Sequence, residues 1–242
     1  MTMKKIVSLI LSAMLLIGTT ACGSLTNTGK GAMIGGGGGA ALGAGIGALL
    51  GGKNKGKGAA IGGGIGAVVG TAAGILIGKK MDKAKAQAEA IKNAQVESIT
   101  DANGLQAVKV TFDSGILFAT SSSKLQADAK SSLSKFANDV LKQNPDMDVA
   151  IVGYTDNAGW KGCTAAQSAS KNEALSLDRA TSVSSYLTSL GVASQIKSVE
   201  GLGEANPVAD NSTAAGRQEN RRVEVYLYAS EKMIQDAQNG NL

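Results

Sequence analysis

Histidine is absent from this chain, and cysteine, proline and aromatic residues are scarce. The lack of histidine removes the commonest general base and the commonest metal ligand. The two cysteines, Cys22 and Cys163, are too far apart in sequence to form a CxxC metal or redox motif. Because no nucleophile–base pair and no metal-ligand set can be found, we expect no catalytic residue, no metal and no cofactor.

Glycine is the residue in excess, and its distribution divides the chain into two parts. Of the 33 glycines, 21 lie between Gly29 and Gly78. Glycine recurs at every fourth position over residues 31–51 and again over 58–78, and neither range contains a charged residue. This spacing places the glycines on one helix face, where two backbones can approach closely, as in small-xxx-small packing of membrane helices.

A helix of each glycine range would be roughly 31 Å long, close to the ~30 Å thickness of a bilayer core. We therefore expect a glycine-zipper helical hairpin over residues 31–78, with transmembrane or membrane-surface helices that could also pair into a homo-oligomer. A flexible glycine-rich linker is the alternative. That alternative does not explain the strict period or the absence of charge.

The first residues have the pattern of a bacterial lipoprotein signal. An apolar core over Ile6–Ile17 follows two lysines, and small residues lead to Cys22. Those small residues resemble a lipobox, although Thr19 stands where leucine is usual. We expect a signal peptide over residues 1–21, acylation of Cys22 by chains such as palmitate, and a lipid-anchored linker over 22–30. An ordinary secretory signal is the alternative.

Two further features of the sequence predict which membrane and which partners the chain has. Gly23 follows the acylation site where an aspartate would indicate retention in the inner membrane, so we expect the outer membrane. Basic residues near 53–57 and 79–85 flank the glycine-rich ranges. Attraction to anionic lipid explains them, and nucleic acid is not an expected partner.

The rest of the chain has the composition of a soluble domain. Residues 79–95 are rich in Ala, Lys, Gln and Glu, which favour helix, and are expected to form a solvated helical spacer. Over residues 96–230, apolar periodicity and turn residues predict the order β-β-α-β-α-β-β, with a hairpin around Asp101–Gly104. This pattern predicts an α+β fold, a mixed sheet with helices on one side. A polar tail over 231–242 follows.

Three motifs occur in order in that domain. They are "GYTDNAG", "NEALSLDRATSV" and "GLGEANPVADNSTAAGRQENRRVEV". Together, from about Leu117 to Tyr228, they resemble the OmpA-like C-terminal domain, a peptidoglycan-binding module. With the lipobox and the glycine hairpin, the whole chain is similar to YiaD-type outer-membrane lipoproteins. The resemblance implies a periplasmic domain that tethers the membrane noncovalently to the diaminopimelate of the peptidoglycan stem peptide.

The resemblance also implies a binding site. Asp156 would pair with the free amine of diaminopimelate, and Arg179 would take its free carboxylate bidentately. The further site residues that the resemblance implies are Thr155, Asn157, Asn172, Leu175, Asn220, Arg221 and Ser121. Alternatives remain for the principal pair, because Asp156 could cap the loop and Arg179 could be a solvated helix residue. Asn220 and Arg221 could equally be scaffold residues. Arg222 and Glu224 are expected to be structural.

The chain departs from the family pattern at two places. Tyr154 stands where histidine is usual, a change that should be tolerated because histidine is not a charge partner. The second departure is the segment 160–171, "WKGCTAAQSASK", which makes the spacing from Asp156 to Arg179 about eight residues longer. This small, polar segment is expected to loop out beside the pocket. Cys163 within it is expected to be a free thiol, with an intermolecular disulfide as the alternative.

Two rival functions follow from the same residues. A glycan-cleaving enzyme would pair Asp156 with Glu173 or Asp178 as acid and base, but nothing else supports catalysis. A membrane-active or outer-membrane assembly protein would depend mainly on the glycine hairpin, and peptidoglycan binding would only position it.

Overall fold

A computed structural model describes residues 71–101 and 104–242. The predicted signal peptide, Cys22, the linker and the hairpin up to residue 70 lie outside the described residues. The strands are β1 (Ala94–Thr100), β2 (Gln106–Asp113), β3 (Met147–Gly153), β4 (Ile196–Gly201) and β5 (Arg222–Ala229). The α-helices are α1 (Ala72–Glu89), α2 (Ser114–Leu117), α3 (Ala127–Lys135), α4 (Ala165–Leu187), α5 (Ala214–Asn220) and α6 (Glu231–Gln238).

The five strands form one mixed sheet in the order β1-β2-β5-β3-β4. The pair β3–β4 is parallel, and the other three pairs are antiparallel. Side chains alternate between the two faces, so that Val223, Val225 and Leu227 of β5 pack into the main core with residues of α1, α3, α4 and α6. The expected α+β fold, a mixed sheet with helices on one side, is confirmed.

Helix α3 and helix α4 end in wider turns. Phe136–Leu141 and Thr188–Val192 continue them with π-helical hydrogen bonding, and a 3-10 turn over Ala193–Gln195 leads into β4. Gly191 adopts φ 93° at the end of α4, a left-handed conformation that glycine accepts without steric cost. The predicted glycine stop of this helix is therefore observed.

Asp101 closes the predicted hairpin between β1 and β2. Its carboxylate accepts a hydrogen bond from the backbone N–H of Leu105 at 2.8 Å, and its own N–H donates to the carbonyl of Leu105 at 2.7 Å. The strands then pair in register from Thr100 opposite Gln106.

Helix α1 belongs to the folded domain, so the expectation of a solvated spacer is wrong. Its residues at intervals of three and four, Ala73, Ile77, Met81, Ala84 and Ala88, are all buried in the main core. The stripe is built largely of alanine, which buries little area per residue and therefore gives a weak apolar pattern in the sequence. The helix packs against β1, β2 and α6.

The end of the second glycine range also lies in this helix. Thr71 caps α1 by accepting a hydrogen bond from the N–H of Gly74. Residues 72–78 of the glycine range and the residues from 79 onward, predicted to be a spacer, form one continuous helix. Residue 78 is therefore not a structural boundary. Within residues 71–101 and 104–242, no helix is both long enough and apolar enough to cross a membrane.

The expectation of a polar tail over 231–242 is wrong for its first two thirds. Ser230 caps α6 by accepting a hydrogen bond from the N–H of Met233 at 3.1 Å. Met233, Ile234 and Ala237 are buried in the main core. Three apolar residues among polar ones suffice because they share one helix face.

Truncation of Met81 tests the packing of α1. Met81→Ala leaves a cavity in the core and is expected to lower the free energy of unfolding by about 2–5 kcal/mol. Lys83→Ala, at an exposed position of the same helix, is expected to change it by less than about 0.5 kcal/mol. Urea denaturation of the full chain measures both values, and small equal effects would show that α1 does not pack on the domain.

Candidate functional site

The backbone of α4 lies in direct contact with the ends of two strands. A Cβ atom at Gly153 would lie 2.1 Å from the carbonyl oxygen of Ser176, and one at Gly201 would lie 2.2 Å from the backbone nitrogen of Leu177. Only glycine allows this approach. The contact fixes α4 across the carboxyl ends of β3 and β4, so that its residues lie beside the loop that follows β3.

A cavity of about 740 Å³ opens at this end of β3. Its walls come from the loop after β3, from α4, from α2 and the segment that follows it, and from the residues between α5 and β5. The lining residues are Ser114, Gly115, Phe118, Ala119, Thr120, Ser121, Gln126, Thr155, Asp156, Ala158, Gly159, Trp160, Lys161, Asn172, Leu175, Arg179, Gln218 and Arg221.

Asp156 lies at the wall of this cavity and is 8% exposed. One carboxylate oxygen accepts a hydrogen bond from the N–H of Ala158 at 3.1 Å, which closes the turn after β3. The other oxygen forms an ion pair with the guanidinium of Arg221. Asp156 is thus both a turn residue and a charged group of the cavity, so the two interpretations of the sequence are not exclusive.

Arg179 projects from α4 into the same cavity and is 4% exposed. Its Nε–H donates to the carbonyl of Ser122 at 3.0 Å, and its guanidinium lies 5.4 Å from the centre of the Phe118 ring. It forms no ion pair with any residue of the described ranges. Burial, followed by the nearby charge of Arg221, lowers the pKa of Arg179, while Asp156 acts in the opposite direction.

Two hydroxyl groups at the cavity have no hydrogen-bond partner among the described residues. They belong to Ser114, which is 1% exposed, and Thr155, which is 4% exposed. A buried hydroxyl without a partner costs free energy, and such groups are rare in folded proteins. Both residues line the cavity, but the two hydroxyl oxygens are themselves buried, so a ligand would reach them only through a local movement of the cavity wall.

The segment 160–171 contributes a wall of the cavity, but most of it does not loop out as expected. Helix α4 begins at Ala165, where Thr164 and Gln167 form a capping box, so the extra residues mainly lengthen the helix at its start. Alanines favour that extension. Only the residues before Thr164 form a loop, and Trp160 and Lys161 of that loop line the cavity. Cys163 is a half-buried free cysteine.

Asn172 connects this loop to the strand end. Its side-chain oxygen accepts a hydrogen bond from the indole N–H of Trp160 at 2.8 Å, and its amide donates to the carbonyls of Ala158 at 3.2 Å and Asp156 at 3.5 Å. All of these partners are within the protein. In the structure Asn172 therefore positions the loop that carries Asp156, rather than presenting a free amide to the cavity.

The other residues implied by the resemblance divide into two groups. Ser121 and Leu175 line the cavity, as does Arg221. Asn157 and Asn220 are not among the residues that line the cavity, and their predicted contacts with a ligand stay predictions. Asn220 is fully buried. Its side-chain oxygen accepts hydrogen bonds from the N–H groups of Val208 and Ala209, and these bonds hold the loop before α5.

Sequence reasoning missed Ser114, Trp160, Lys161 and Gln218 as lining residues. Ser114 belongs to no motif, and Gln218 lies within the third motif but was not singled out there. The loop containing Trp160 was noted as an addition, and a single large aromatic residue in a small polar segment was a signal that could have identified it. Neither Glu173 nor Asp178, considered above as catalytic partners of Asp156, lines the cavity.

Tyr154 lies on the opposite face of the sheet, away from the cavity. It is buried against the guanidinium of Arg222, which lies 3.8 Å from its ring centre. Arg222 also donates to Glu224 at 2.8 Å, and Glu224 accepts from the hydroxyl of Tyr226. Arg222 and Glu224 are therefore structural as expected, although they pair along one strand rather than across the sheet. Burial first, and then the charge of Glu224, raises the pKa of Tyr154.

The fold is an α+β domain with a polar cavity at a strand end. Among solved structures, a protein described as MotB-like from Desulfovibrio vulgaris has this fold, with a TM-score of 0.54 and 21% identity over 65% of this chain and 96% of that one. Residues 117–221 match the model of the OmpA family, and residues 1–82 match the model of the YMGG-like Gly-zipper. The chain thus contains an OmpA-family domain preceded by a Gly-zipper segment.

Three curated relatives are similar to part of this chain. Peptidoglycan-binding protein ArfA of Mycobacterium tuberculosis is 45% identical over 37% of this chain and 25% of its own length. Probable lipoprotein YiaD of Escherichia coli is 44% identical over 49% of this chain and 47% of its own. Outer-membrane lipoprotein YfiB of Pseudomonas aeruginosa is 38% identical over 48% of this chain and 64% of its own. The chain therefore spans from a quarter to under two thirds of these relatives.

Alanine at Gly153 tests the contact that positions α4. Gly153→Ala places a Cβ atom against the backbone of Ser176 and is expected to lower the free energy of unfolding by about 1–3 kcal/mol or more. Gly159→Ala is the control, because its Cβ would lie 3.7 Å from the Ser168 hydroxyl, an ordinary contact. Its effect is expected to be no larger than about 1 kcal/mol. Equal effects in chemical denaturation would contradict the close approach.

Proposed function

We propose that this protein is a lipid-anchored outer-membrane protein that tethers the membrane noncovalently to peptidoglycan. Its domain binds the free end of diaminopimelate in the stem peptide, in the cavity at the end of β3. No chemical step is involved, since the bound ligand is held and not changed. The domain faces the periplasm, where the cell wall lies.

The observation that carries this proposal is the buried guanidinium of Arg179, which faces the cavity without an ion pair among the described residues. A buried charge is costly unless it is paired. A ligand carboxylate would supply the pair, and the planar guanidinium offers two parallel N–H groups for it. The N–H groups other than Nε–H, which is bonded to Ser122, remain for this contact.

Asp156 complements Arg179 within the same cavity. Each carboxylate oxygen has two acceptor positions, and the contacts to Ala158 and Arg221 use one position on each oxygen. A ligand ammonium group can therefore bind Asp156 without displacing either contact. An ammonium and a carboxylate on the same carbon, as at the free end of diaminopimelate, match this arrangement of charges.

The relatives support the same conclusion. ArfA is named a peptidoglycan-binding protein, and YfiB is named an outer-membrane lipoprotein. The match to the OmpA family model, over residues 117–221, includes Asp156 and Arg179. We accordingly assign the cell wall as the partner of the domain, and acylated Cys22 and the outer-membrane lipid as the anchor.

A second candidate role belongs to the N-terminal part. The match of residues 1–82 to the YMGG-like Gly-zipper model favours a packing function for the glycine repeat. Such a segment could associate in the membrane or pair chains into a homo-oligomer and so support envelope assembly. Residues 31–70 lie outside the described residues, so this role stays a prediction.

Removal of either charge of the cavity tests the proposed binding. Asp156→Asn and Arg179→Gln are each expected to weaken binding of a diaminopimelate-containing muropeptide about tenfold to a hundredfold, because each removes one charge-assisted contact. Titration calorimetry of the full chain in detergent measures the affinity. Arg217→Gln is the matched control, since Arg217 also donates to backbone carbonyls but does not line the cavity. Unchanged affinity in folded Asp156 and Arg179 variants would refute the assignment.

Removal of an unpartnered hydroxyl separates binding from stability. Thr155→Val is expected to leave the free energy of unfolding unchanged or raise it by about 1 kcal/mol, while muropeptide binding weakens severalfold. Ser176→Ala is the contrasting control, because the Ser176 hydroxyl accepts from the N–H of Gly203 at 2.9 Å and donates to the carbonyl of Glu173. Its removal is expected to cost about 1–3 kcal/mol. Thermal denaturation and calorimetry distinguish the two, and a large loss of stability in Thr155→Val would count against a ligand contact.

A further inference from the structure

Trp160 and Lys161 form a wall of the cavity that the proposed contacts to diaminopimelate do not use. Both residues belong to the loop between β3 and α4. Trp160 is half-buried and Lys161 is exposed. We call these two residues the indole wall. Lys161 forms no ion pair within the part of the chain that the structure describes.

The indole ring is held in place by contacts on several sides. Its N–H donates to the side chain of Asn172 at 2.8 Å, and the backbone N–H of Trp160 donates to the Ser168 hydroxyl at 3.0 Å. The ammonium group of Lys171 lies 5.4 Å from the ring centre. A side chain fixed in this way loses little conformational freedom when a ligand packs against it. The Trp160 ring is therefore pre-organised at the cavity.

The charges of the cavity are not balanced by the ligand end assigned above. The charged lining residues are three cations, Lys161, Arg179 and Arg221, and one carboxylate, Asp156, which gives 3 − 1 = +2. A carbon bearing one ammonium and one carboxylate adds no net charge. Complementary potentials therefore favour a ligand that carries a further anionic group. Lys161 is the cation of the indole wall that lines the cavity, whereas Lys171, whose ammonium lies 5.4 Å from the indole centre, does not line it.

The size of the cavity leaves room for a further group of the ligand. Its volume of about 740 Å³ lies in the range of sites for whole small ligands, roughly 300–1,000 Å³. The free end of one amino acid leaves much of that space for neighbouring parts of the stem peptide. In stem peptides the residue before diaminopimelate is a glutamate joined through its side chain, so its α-carboxylate is free unless it has been amidated.

We propose that the indole wall is a second subsite that selects stem peptides with a free carboxylate next to diaminopimelate. Lys161 pairs with that carboxylate, and the ring of Trp160 packs against the adjoining peptide. This inference rests on the proposed binding of diaminopimelate and adds to it a preference between two chemical forms of the cell wall.

The test compares two muropeptides that differ only in this group. Both contain diaminopimelate, and the neighbouring group is a carboxylate in one and a carboxamide in the other. The wild-type full chain in detergent is expected to bind the carboxylate form about three- to fivefold more tightly in titration calorimetry, as for a partly exposed charge pair. Lys161→Gln is expected to abolish this preference. Trp160→Leu is expected to lower the affinity for both muropeptides by the same factor.

Lys124→Gln is the control, because Lys124 is an exposed cation of a neighbouring loop and does not line the cavity. It is expected to retain the full preference. Equal binding of both muropeptides by the wild type, or an unchanged preference in Lys161→Gln, would overturn the second subsite while leaving diaminopimelate binding intact. Failure of the folded wild type to bind either muropeptide would overturn both proposals.

Discussion

The contact between the backbone of α4 and the ends of β3 and β4 determines the geometry of the whole site. At Gly153 and Gly201 the helix approaches so closely that a Cβ atom would overlap backbone atoms. Because α4 rises about 1.5 Å per residue, this fixed point also sets the height of its other side chains. Arg179, one turn beyond Ser176, is thereby held beside the loop that carries Asp156. Asp156 and Arg179, two of the four charged residues that line the cavity, are 23 positions apart in sequence, and the close approach at the two glycines brings them to the same cavity.

Within this frame, the cavity combines satisfied and unsatisfied polar groups. Asp156 is anchored by Ala158 and Arg221, whereas Arg179 is buried without a carboxylate partner in the described residues. The hydroxyls of Ser114 and Thr155 are also without partners there. Folding alone does not account for groups left in this state, since each carries a desolvation cost. Under the proposed function, a ligand carboxylate paired with Arg179 would offset the cost of burying that guanidinium.

The sequence predicted those features that depend on local pattern or on the motifs. Alternation gave the strands and the hairpin closed by Asp101, and the motifs gave Asp156 and Arg179. Features that depend on distant contacts were not predictable. The ion pair of Asp156 with Arg221 joins residues 65 positions apart, and Asn220 is occupied by a loop whose path no periodicity reveals. Helix α1 was misjudged because alanine forms most of its buried stripe, and the start of α4 was misjudged because its first turns are small and polar.

The measurement that tests the central claim most directly is a double-mutant cycle between Arg179 and the ligand carboxylate. Titration calorimetry would compare the wild type and Arg179→Gln, each with a diaminopimelate muropeptide and with the same muropeptide amidated at the free carboxylate of diaminopimelate. We predict a coupling free energy of about 1.5–3 kcal/mol, because the two changes remove the same contact. Additive effects, with a coupling near zero, would mean that Arg179 does not bind this carboxylate and would contradict the proposed mode of tethering.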